Sequence, residues 1–159
     1  RAILDVEKDV IRDLIIDDSS NLELVHKEIA TAFGFNGQEM ASFYLSDEDW
    51  NQGEEYPLFD MGTSKPMKDT LVSEVFQSKS SRLIYVYDFF SMWTFFIEVI
   101  DTSATTKNEL PFVSFAFGET PDEAPEKEFT AENTSLDFDF GDEEMNGFGE
   151  FENLDDYDL

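Results

Sequence analysis

The chain has 159 residues, of which 37 are acidic and 10 basic, giving a formal net charge of −27 at pH 7. Nucleic acids and anionic membranes are recognised through Lys and Arg, so this charge disfavours both as direct partners. The absence of cysteine excludes disulfides, thiolate metal sites and cysteine nucleophiles, and no apolar run reaches the roughly 18 residues of a membrane span, so we expect a cytoplasmic protein.

The first forty residues predict two strands and a helix. β-branched and aliphatic runs at 2–6 and 10–16 indicate an antiparallel strand pair. Ser20, followed three residues later by Glu23, predicts a capping box at the start of a helix. Apolar residues then recur at helical spacing, at Leu22, Val25, Ile29 and Phe33. Gly34 is a suitable left-handed residue to end this helix.

The middle of the chain is less regular. Residues 41–45 predict a strand, and the polar stretch 46–66 indicates a long irregular loop with room for one short strand. A short helix capped by Asp69 or Thr70 is predicted to run through Phe76.

The most aromatic part of the chain predicts a hairpin and a final strand. Residues 82–88 and 93–100 are rich in aromatic and β-branched residues and are separated by only four residues, 89–92. Residues 112–117 predict one more strand. Residues 1–118 are thus expected to form one α+β domain, with two helices packed on a mainly antiparallel sheet, in the order β-β-α-β-α-β-β-β.

Several strings in this domain carry a resemblance to a known family. They are the opening strand pair, the helix string Leu22-x-x-Val25-His26-x-x-Ile29 running into Ala32-Phe33-Gly34-Phe35, the strand Ser42-Phe43-Tyr44-Leu45, and the stretch Leu83-Ile84-Tyr85-Val86-Tyr87-Asp88-Phe89. In this order they resemble the plasmid pRiA4b ORF-3-like family, also called insertion-sequence passenger TnpR-like proteins. The resemblance covers about residues 2 to 101 and implies a compact α+β fold of unknown biochemical activity.

The chain departs from that family at the turn after the last string. Relatives typically place Gly-Asp, then Trp, then a His two residues on, whereas here these positions read Phe90 and Ser91, Trp93 and Phe95. Many relatives also carry a His after the first helix and a Pro-Pro-Glu-Asp-Cys segment, which this chain lacks, so a polar or metal site built from those groups would be lost. Apolar side chains in place of a polar turn predict a contact surface, formed by Phe89, Phe90, Met92 and Trp93.

Histidine chemistry has little support in the sequence. His26 is the only histidine, and its position beside Leu22 and Ile29 predicts a satisfied side chain at the border of the buried helical face. A catalytic triad or a zinc site would need further His or Cys residues. We predict no catalytic residue, no cofactor and no metal.

One acidic loop has the beginning of a calcium-binding pattern. The string Asp47-Glu48-Asp49-Trp50-Asn51-Gln52-Gly53 places oxygen ligands at alternate positions, as an EF-hand loop does. Its glycine comes one place late, and Leu58 stands where a bidentate Glu is required. Despite these departures, the alternate oxygen ligands Asp47, Asp49 and Asn51 leave an alternative interpretation open. The protein would then bind a divalent metal ion or be a carboxylate-based enzyme.

The last forty-one residues, 119–159, combine negative charge with aromatic side chains. They contain sixteen acidic residues and one basic residue, Lys127. This tail is predicted to be disordered or to fold on a partner, although a purely solvating tail is the alternative. Its predicted partner-binding residues are Phe138, Phe140, Phe148, Phe151, Leu154, Asp155, Asp156, Tyr157 and Leu159.

Together these features favour a non-enzymatic interaction module whose acidic aromatic tail docks on a basic protein surface. Cationic surfaces are abundant on nucleic-acid machines, so we expect an accessory subunit of a machine such as RNA polymerase or the ribosome, or a nucleic-acid mimic. A small-molecule binding domain that uses the aromatic hairpin around Trp93 is a further alternative.

Overall fold

The computed structural model describes residues 1–125. Its main element is one antiparallel sheet. In this part of the chain the sheet has seven strands in the order β4-β3-β5-β6-β1-β2-β7. The strands are β1 (Ala2–Leu4), β2 (Ile11–Ile15), β3 (Ala41–Ser46), β4 (Glu55–Pro57), β5 (Arg82–Tyr87), β6 (Trp93–Glu98) and β7 (Phe112–Phe117). The helices are α1 (Leu22–Ala32) and the single turn α2 (Val72–Val75), which a 3-10 turn at Met67–Asp69 precedes. The predicted α+β class and the antiparallel sheet are confirmed.

The structure adds one strand to the predicted order. β4 lies inside the stretch 46–66 and pairs with β3, with Tyr56 opposite Phe43. This pairing buries Tyr56, which explains why the loop returns to the sheet. The first two strands are shorter than predicted, because the chain turns between Leu4 and Val10 and the amide of Leu4 donates to the Val10 carbonyl at 3.0 Å.

The start of α1 differs from the predicted capping box. The helix is capped by Asn21, whose Oδ1 accepts the Leu24 amide at 3.0 Å. The carbonyl of Ser20 instead accepts the amide of Val72 at 2.8 Å, and the amide of Leu22 donates to the Thr70 carbonyl at 2.9 Å. The prediction of Ser20 as the cap is therefore wrong, because the backbone around it pairs with the segment that leads into α2.

The second helix is also shorter than predicted. Instead of beginning at Asp69 or Thr70, α2 begins at Val72 and forms one turn. The hydroxyl of Thr70 donates to the Pro66 carbonyl at 3.0 Å within the 3-10 turn, and Glu74 accepts the Leu71 amide at 3.0 Å. The side chain of Thr70 thus supports the turn before the helix.

The two faces of the sheet have different environments. In β6 buried residues alternate with half-buried ones, as the predicted strand pattern requires. Of the buried residues of β6, Phe95 lies opposite Leu4 of β1 and Ile97 lies opposite Ala2. These side chains pack in one core with apolar residues of α1. The opposite face carries half-buried side chains such as Ile3 and Phe96, which are cross-strand partners. In the described residues no helix has the length and apolar composition of a membrane span.

Candidate interaction surface

The hairpin loop between β5 and β6 is ordered by Asp88. Its Oδ1 accepts the amides of Phe90 at 3.1 Å and Ser91 at 3.4 Å. The Asp88 carbonyl accepts the Met92 amide at 2.6 Å, and the Asp88 amide donates to the Met40 carbonyl at 2.7 Å. Asp88 and Met92 both adopt positive φ, 65° and 61°. The loop is therefore a defined turn that presents the side chain at its tip.

The four hairpin residues of the predicted contact surface lie in different environments. Phe90 is 97% exposed, Phe89 is exposed as well, and Met92 is half-buried. Trp93 is only 6% exposed, and its ring packs on Phe35 with a centroid distance of 4.9 Å. The accessible apolar tip thus consists of Phe89 and Phe90, whereas Trp93 fixes the hairpin to the core.

The tail residues of the predicted contact surface lie outside the described residues. They are Phe138, Phe140, Phe148, Phe151, Leu154, Asp155, Asp156, Tyr157 and Leu159. Their role as partner-binding residues remains a prediction from sequence.

A second exposed apolar surface lies at the end of the sheet. β7 is an edge strand that pairs with β2, with Phe115 opposite Asp13 and Phe117 opposite Ile11. Phe115 is 45% and Phe117 is 54% exposed. The sequence correctly predicted this strand but not its edge position, because strand order depends on distant pairings that an alternating pattern does not encode.

Arg12 attaches the end of β7 to the helix layer. Its guanidinium donates to the carbonyls of Ala32 at 2.9 Å, Phe117 at 3.0 Å and Gly118 at 3.1 Å. The same group lies 5.1 Å from the centroid of the Phe33 ring, within the range of a cation–π contact. The edge is therefore held in place at its C-terminal end.

A cleft of about 410 Å³ lies between β2 and β6, at the end of β6 away from Trp93. Arg1 and Asp13 form a bidentate ion pair at its border, with both nitrogen–oxygen distances 2.9 Å. The hydrogen bond to Asp13 raises the pKa of the Arg1 side chain. The apolar part of the lining includes Leu14, Val25, Ile29, Val72, Phe76 and Ile97. The volume falls in the range of small-molecule sites, but the aromatic hairpin does not line it.

His26 is a core residue, so its predicted position at the border is wrong. It is 1% exposed, and its Nδ1 lies 2.5 Å from the hydroxyl oxygen of Tyr85. Burial lowers the pKa of His26, partly offset by a hydrogen bond with the Gly37 backbone, and burial raises the pKa of Tyr85. A lowered pKa favours the neutral imidazole, and in the tautomer that carries its proton on Nε2 the Tyr85 hydroxyl donates to Nδ1. The pair satisfies two buried polar groups.

The acidic loop around Asp47 is closed by its own hydrogen bonds. The carboxylate of Asp47 accepts the amides of Asp49 at 2.9 Å and Asn51 at 3.0 Å, and the Asn51 side-chain amide at 3.0 Å. The Asn51 side chain is the main cause of the lowered pKa of Asp47. Within residues 1–125 no three His, Cys, Asp or Glu side chains are grouped to hold a metal ion. The metal-binding alternative for Asp47, Asp49 and Asn51 stays a prediction.

Comparison with known proteins supports the fold and the family. A protein of unknown function from Methanosarcina mazei Go1 has a similar structure, with a TM-score of 0.66 and 12% identity, over 76% of this chain and 68% of that one. At this identity the likeness shows the fold alone. No curated protein has a significantly similar sequence. The family description "plasmid pRiA4b ORF-3-like protein" matches residues 2–128, well beyond the stretch on which the sequence resemblance rested. The chain belongs to the plasmid pRiA4b ORF-3-like family.

Proposed function

We propose that the protein is a cytoplasmic, non-catalytic interaction module that binds a basic protein. The exposure of Phe90 is the observation that carries this proposal. Phe90 and its neighbour Phe89 are both exposed and together form a contiguous apolar tip, and contiguous exposed apolar surface is typical of contact sites. Because Asp88 orders the loop, little conformational entropy is lost when Phe90 binds. Aromatic anchors on ordered elements contribute much of the energy of interfaces.

Charge supports a cationic partner. Residues 1–125 contain 24 acidic and 9 basic side chains, so the described domain is itself acidic. Such a field accelerates encounters with basic surfaces and repels acidic ones. The field is screened over about 8 Å at physiological ionic strength, so we expect association to weaken with added salt.

The composition of the tail indicates the class of partner that we propose. Within 126–159 the sequence adds 13 acidic residues and one lysine, interspersed with the predicted aromatic anchors. We propose that these carboxylates steer the tail toward a groove rich in Lys and Arg, where Phe138, Phe140, Phe148 and Phe151 dock. Surfaces of this kind occur on nucleic-acid machines, so an accessory role in transcription or translation, or mimicry of a nucleic acid, is the specific form of the proposal.

Affinity capture from the native cell tests the proposal. The tagged full chain is compared with Phe90→Ser and with the matched control Phe59→Ser, since Phe59 is also exposed, at 56%, but lies outside the hairpin. We expect a basic protein to be captured at low salt and its capture to be reduced at high salt and by Phe90→Ser, but not by Phe59→Ser. A full-length variant with the four tail phenylalanines changed to serine should also weaken capture.

Two results would contradict the proposal. One is a set of captured proteins that contains no basic member. The other is equal capture by the wild-type chain, Phe90→Ser and the tail variant. Calcium titration by calorimetry addresses the metal alternative, because heat that disappears in Asp47→Ala would favour that alternative over an interaction module.

A further inference from the structure

We infer that the free edge of β7 receives an extended segment of the basic partner, which adds to the sheet as an antiparallel strand with Lys or Arg at its N-terminal end. This inference rests on the proposed function and specifies how the partner is held. Within residues 1–125, β7 forms one end of the sheet, and its pairing to β2 uses only one of its two backbone edges. A six-residue strand offers a template about 20 Å long.

β7 lacks the charged residues and the proline that usually prevent strand addition, although a register shift between Asp13 and Leu14 makes its pairing with β2 irregular at Ser114. Natural edge strands are blunted by Lys, by Pro or by inward-pointing charges. Residues 112–117 contain no charged residue and no proline. The opposite edge of the sheet is formed by β4, which has only three residues and ends at Pro57. The two edges therefore differ, and β7 is the one suited to β-strand addition.

The exposed side chains of β7 provide an apolar surface for the added strand. Phe115 and Phe117 are two residues apart and therefore point to the same face of the sheet. Their cross-strand partners are Asp13 and Ile11, which places them on the face opposite the helices. Because the Arg12 guanidinium holds the carbonyl of Phe117, this end of the strand is ordered before any partner arrives. The partner residues nearest to this pair should accordingly be apolar.

The charge at the end of β7 gives the added strand its predicted polarity. A Cβ at Gly118 would overlap the carbonyl oxygen of Asp9, so the turn that contains Asp9 adjoins the C-terminal end of β7. Glu119, Asp122 and Glu123 follow β7 directly. The cations near this end are Lys8 of that turn and Arg12, whose guanidinium already donates to the carbonyls of Phe117 and Gly118. An antiparallel partner strand begins at this acidic end, which favours Lys or Arg in its first residues.

A second copy of this chain is a poorer match than a cationic segment. In a symmetric antiparallel pair of β7 strands, the N-terminal end of one strand meets the C-terminal end of the other. The residues before β7 include both Lys107 and Glu109, so they bring no net positive charge to the acidic residues Glu119, Asp122 and Glu123. A segment that begins with Lys or Arg offers these carboxylates the complementary charge.

A labelled synthetic peptide provides the probe. It reads Lys-Lys-Val-Thr-Val-Thr-Val-Thr, and its two controls are the same peptide with Glu-Glu at the start and the peptide with Lys-Lys moved to the end. Binding to the full chain is measured by fluorescence anisotropy. We expect the peptide that begins with Lys-Lys to bind most tightly. When this peptide binds, backbone amides within residues 112–117 of the protein should gain protection from hydrogen exchange.

Variants of the full chain locate the site. Phe115→Lys removes an apolar contact and places a cation on the edge, so it should weaken peptide binding by at least about tenfold. Phe59→Lys is the matched control and should leave binding unchanged. Circular dichroism confirms that both variants fold, and protection of 112–117 in the wild-type chain gives a readout that does not depend on either substitution.

Several results would overturn the inference. They are equal binding of all three peptides, protection elsewhere than 112–117, and self-association of the full chain that Phe115→Lys abolishes, which would make the edge a contact between copies. Phe90→Ser separates the two proposals, since it should impair partner capture and leave peptide binding intact. Capture that depends on Phe90, without peptide binding at β7, would refute the edge inference and leave the proposed function standing.

Discussion

Replacing Tyr85 with Phe tests the energetic role of the buried histidine. The substitution keeps the ring that packs between Phe43 and Phe95, at centroid distances of 4.7 and 5.3 Å. It removes only the hydroxyl that lies 2.5 Å from Nδ1 of His26. Because both residues are fully buried, water cannot readily take the place of that hydroxyl.

The expected cost follows from the group that is left without a partner. A buried polar atom that loses its hydrogen bond destabilises the folded state by about 1–3 kcal/mol. That is a substantial part of the roughly 5–15 kcal/mol that stabilises a typical domain. Tyr87→Phe is the matched control: its hydroxyl donates to Oδ1 of Asn36 at 3.0 Å, and Asn36 is exposed, so water replaces the bond and the cost should be about 0.5 kcal/mol.

Urea unfolding followed by tryptophan emission measures both costs, since the buried Trp93 becomes exposed on unfolding. We expect Tyr85→Phe to lower the transition midpoint more than Tyr87→Phe, with unchanged slope. A second change, His26→Leu, removes the unpaired imidazole and should recover part of the loss in the double variant. If Tyr85→Phe costs no more than Tyr87→Phe, the assigned hydrogen bond does not stabilise the core and the reasoning fails.

Three further predictions concern pH, a helix cap and a turn. Burial lowers the pKa of His26 below its unfolded value of about 6.5, so the unfolded state binds the proton first and stability should fall as the pH drops below about 6.5; His26→Leu should flatten this dependence, and an equal slope would contradict it. Asn21→Ala should cost about 1 kcal/mol whereas Ser20→Ala should stay within about 0.5 kcal/mol, and thermal melts that reverse this order would refute Asn21 as the cap. Gly118→Ala should cost about 2 kcal/mol or more, because φ is 81° and the new Cβ would overlap Asp9; an unchanged urea midpoint would exclude that close approach.

Elements with a clear periodic pattern could be predicted from the sequence. The strand 112–117 was predicted to the residue, and Gly34 follows α1 with φ of 91° as expected for a left-handed stop. β4 escaped recognition as a definite strand, because three residues are too few to establish alternation. The cap at Asn21 was missed because pairing with the distant segment around Thr70 determines where the helix begins.

The candidate surface could be predicted only in part. Apolar residues at 89–93 indicated a contact region, and Phe90 is indeed exposed. Sequence alone could not separate this residue from Trp93, because which side chain enters the core depends on the turn that Asp88 forms. The burial of His26 likewise depends on how α1 lies over Tyr85. The edge position of β7 depends on strand order, which no local pattern contains.

Site-specific photocrosslinking at position 90 in the native cell determines whether Phe90 contacts a basic protein. Benzoylphenylalanine replaces Phe90 in the full chain, and the same replacement of Phe59 serves as the control. We predict that position 90, and not position 59, crosslinks to a protein with a basic surface, and that salt added to a lysate reduces the yield. Equal yields at both positions, or crosslinks from position 90 to acidic proteins only, would contradict this prediction.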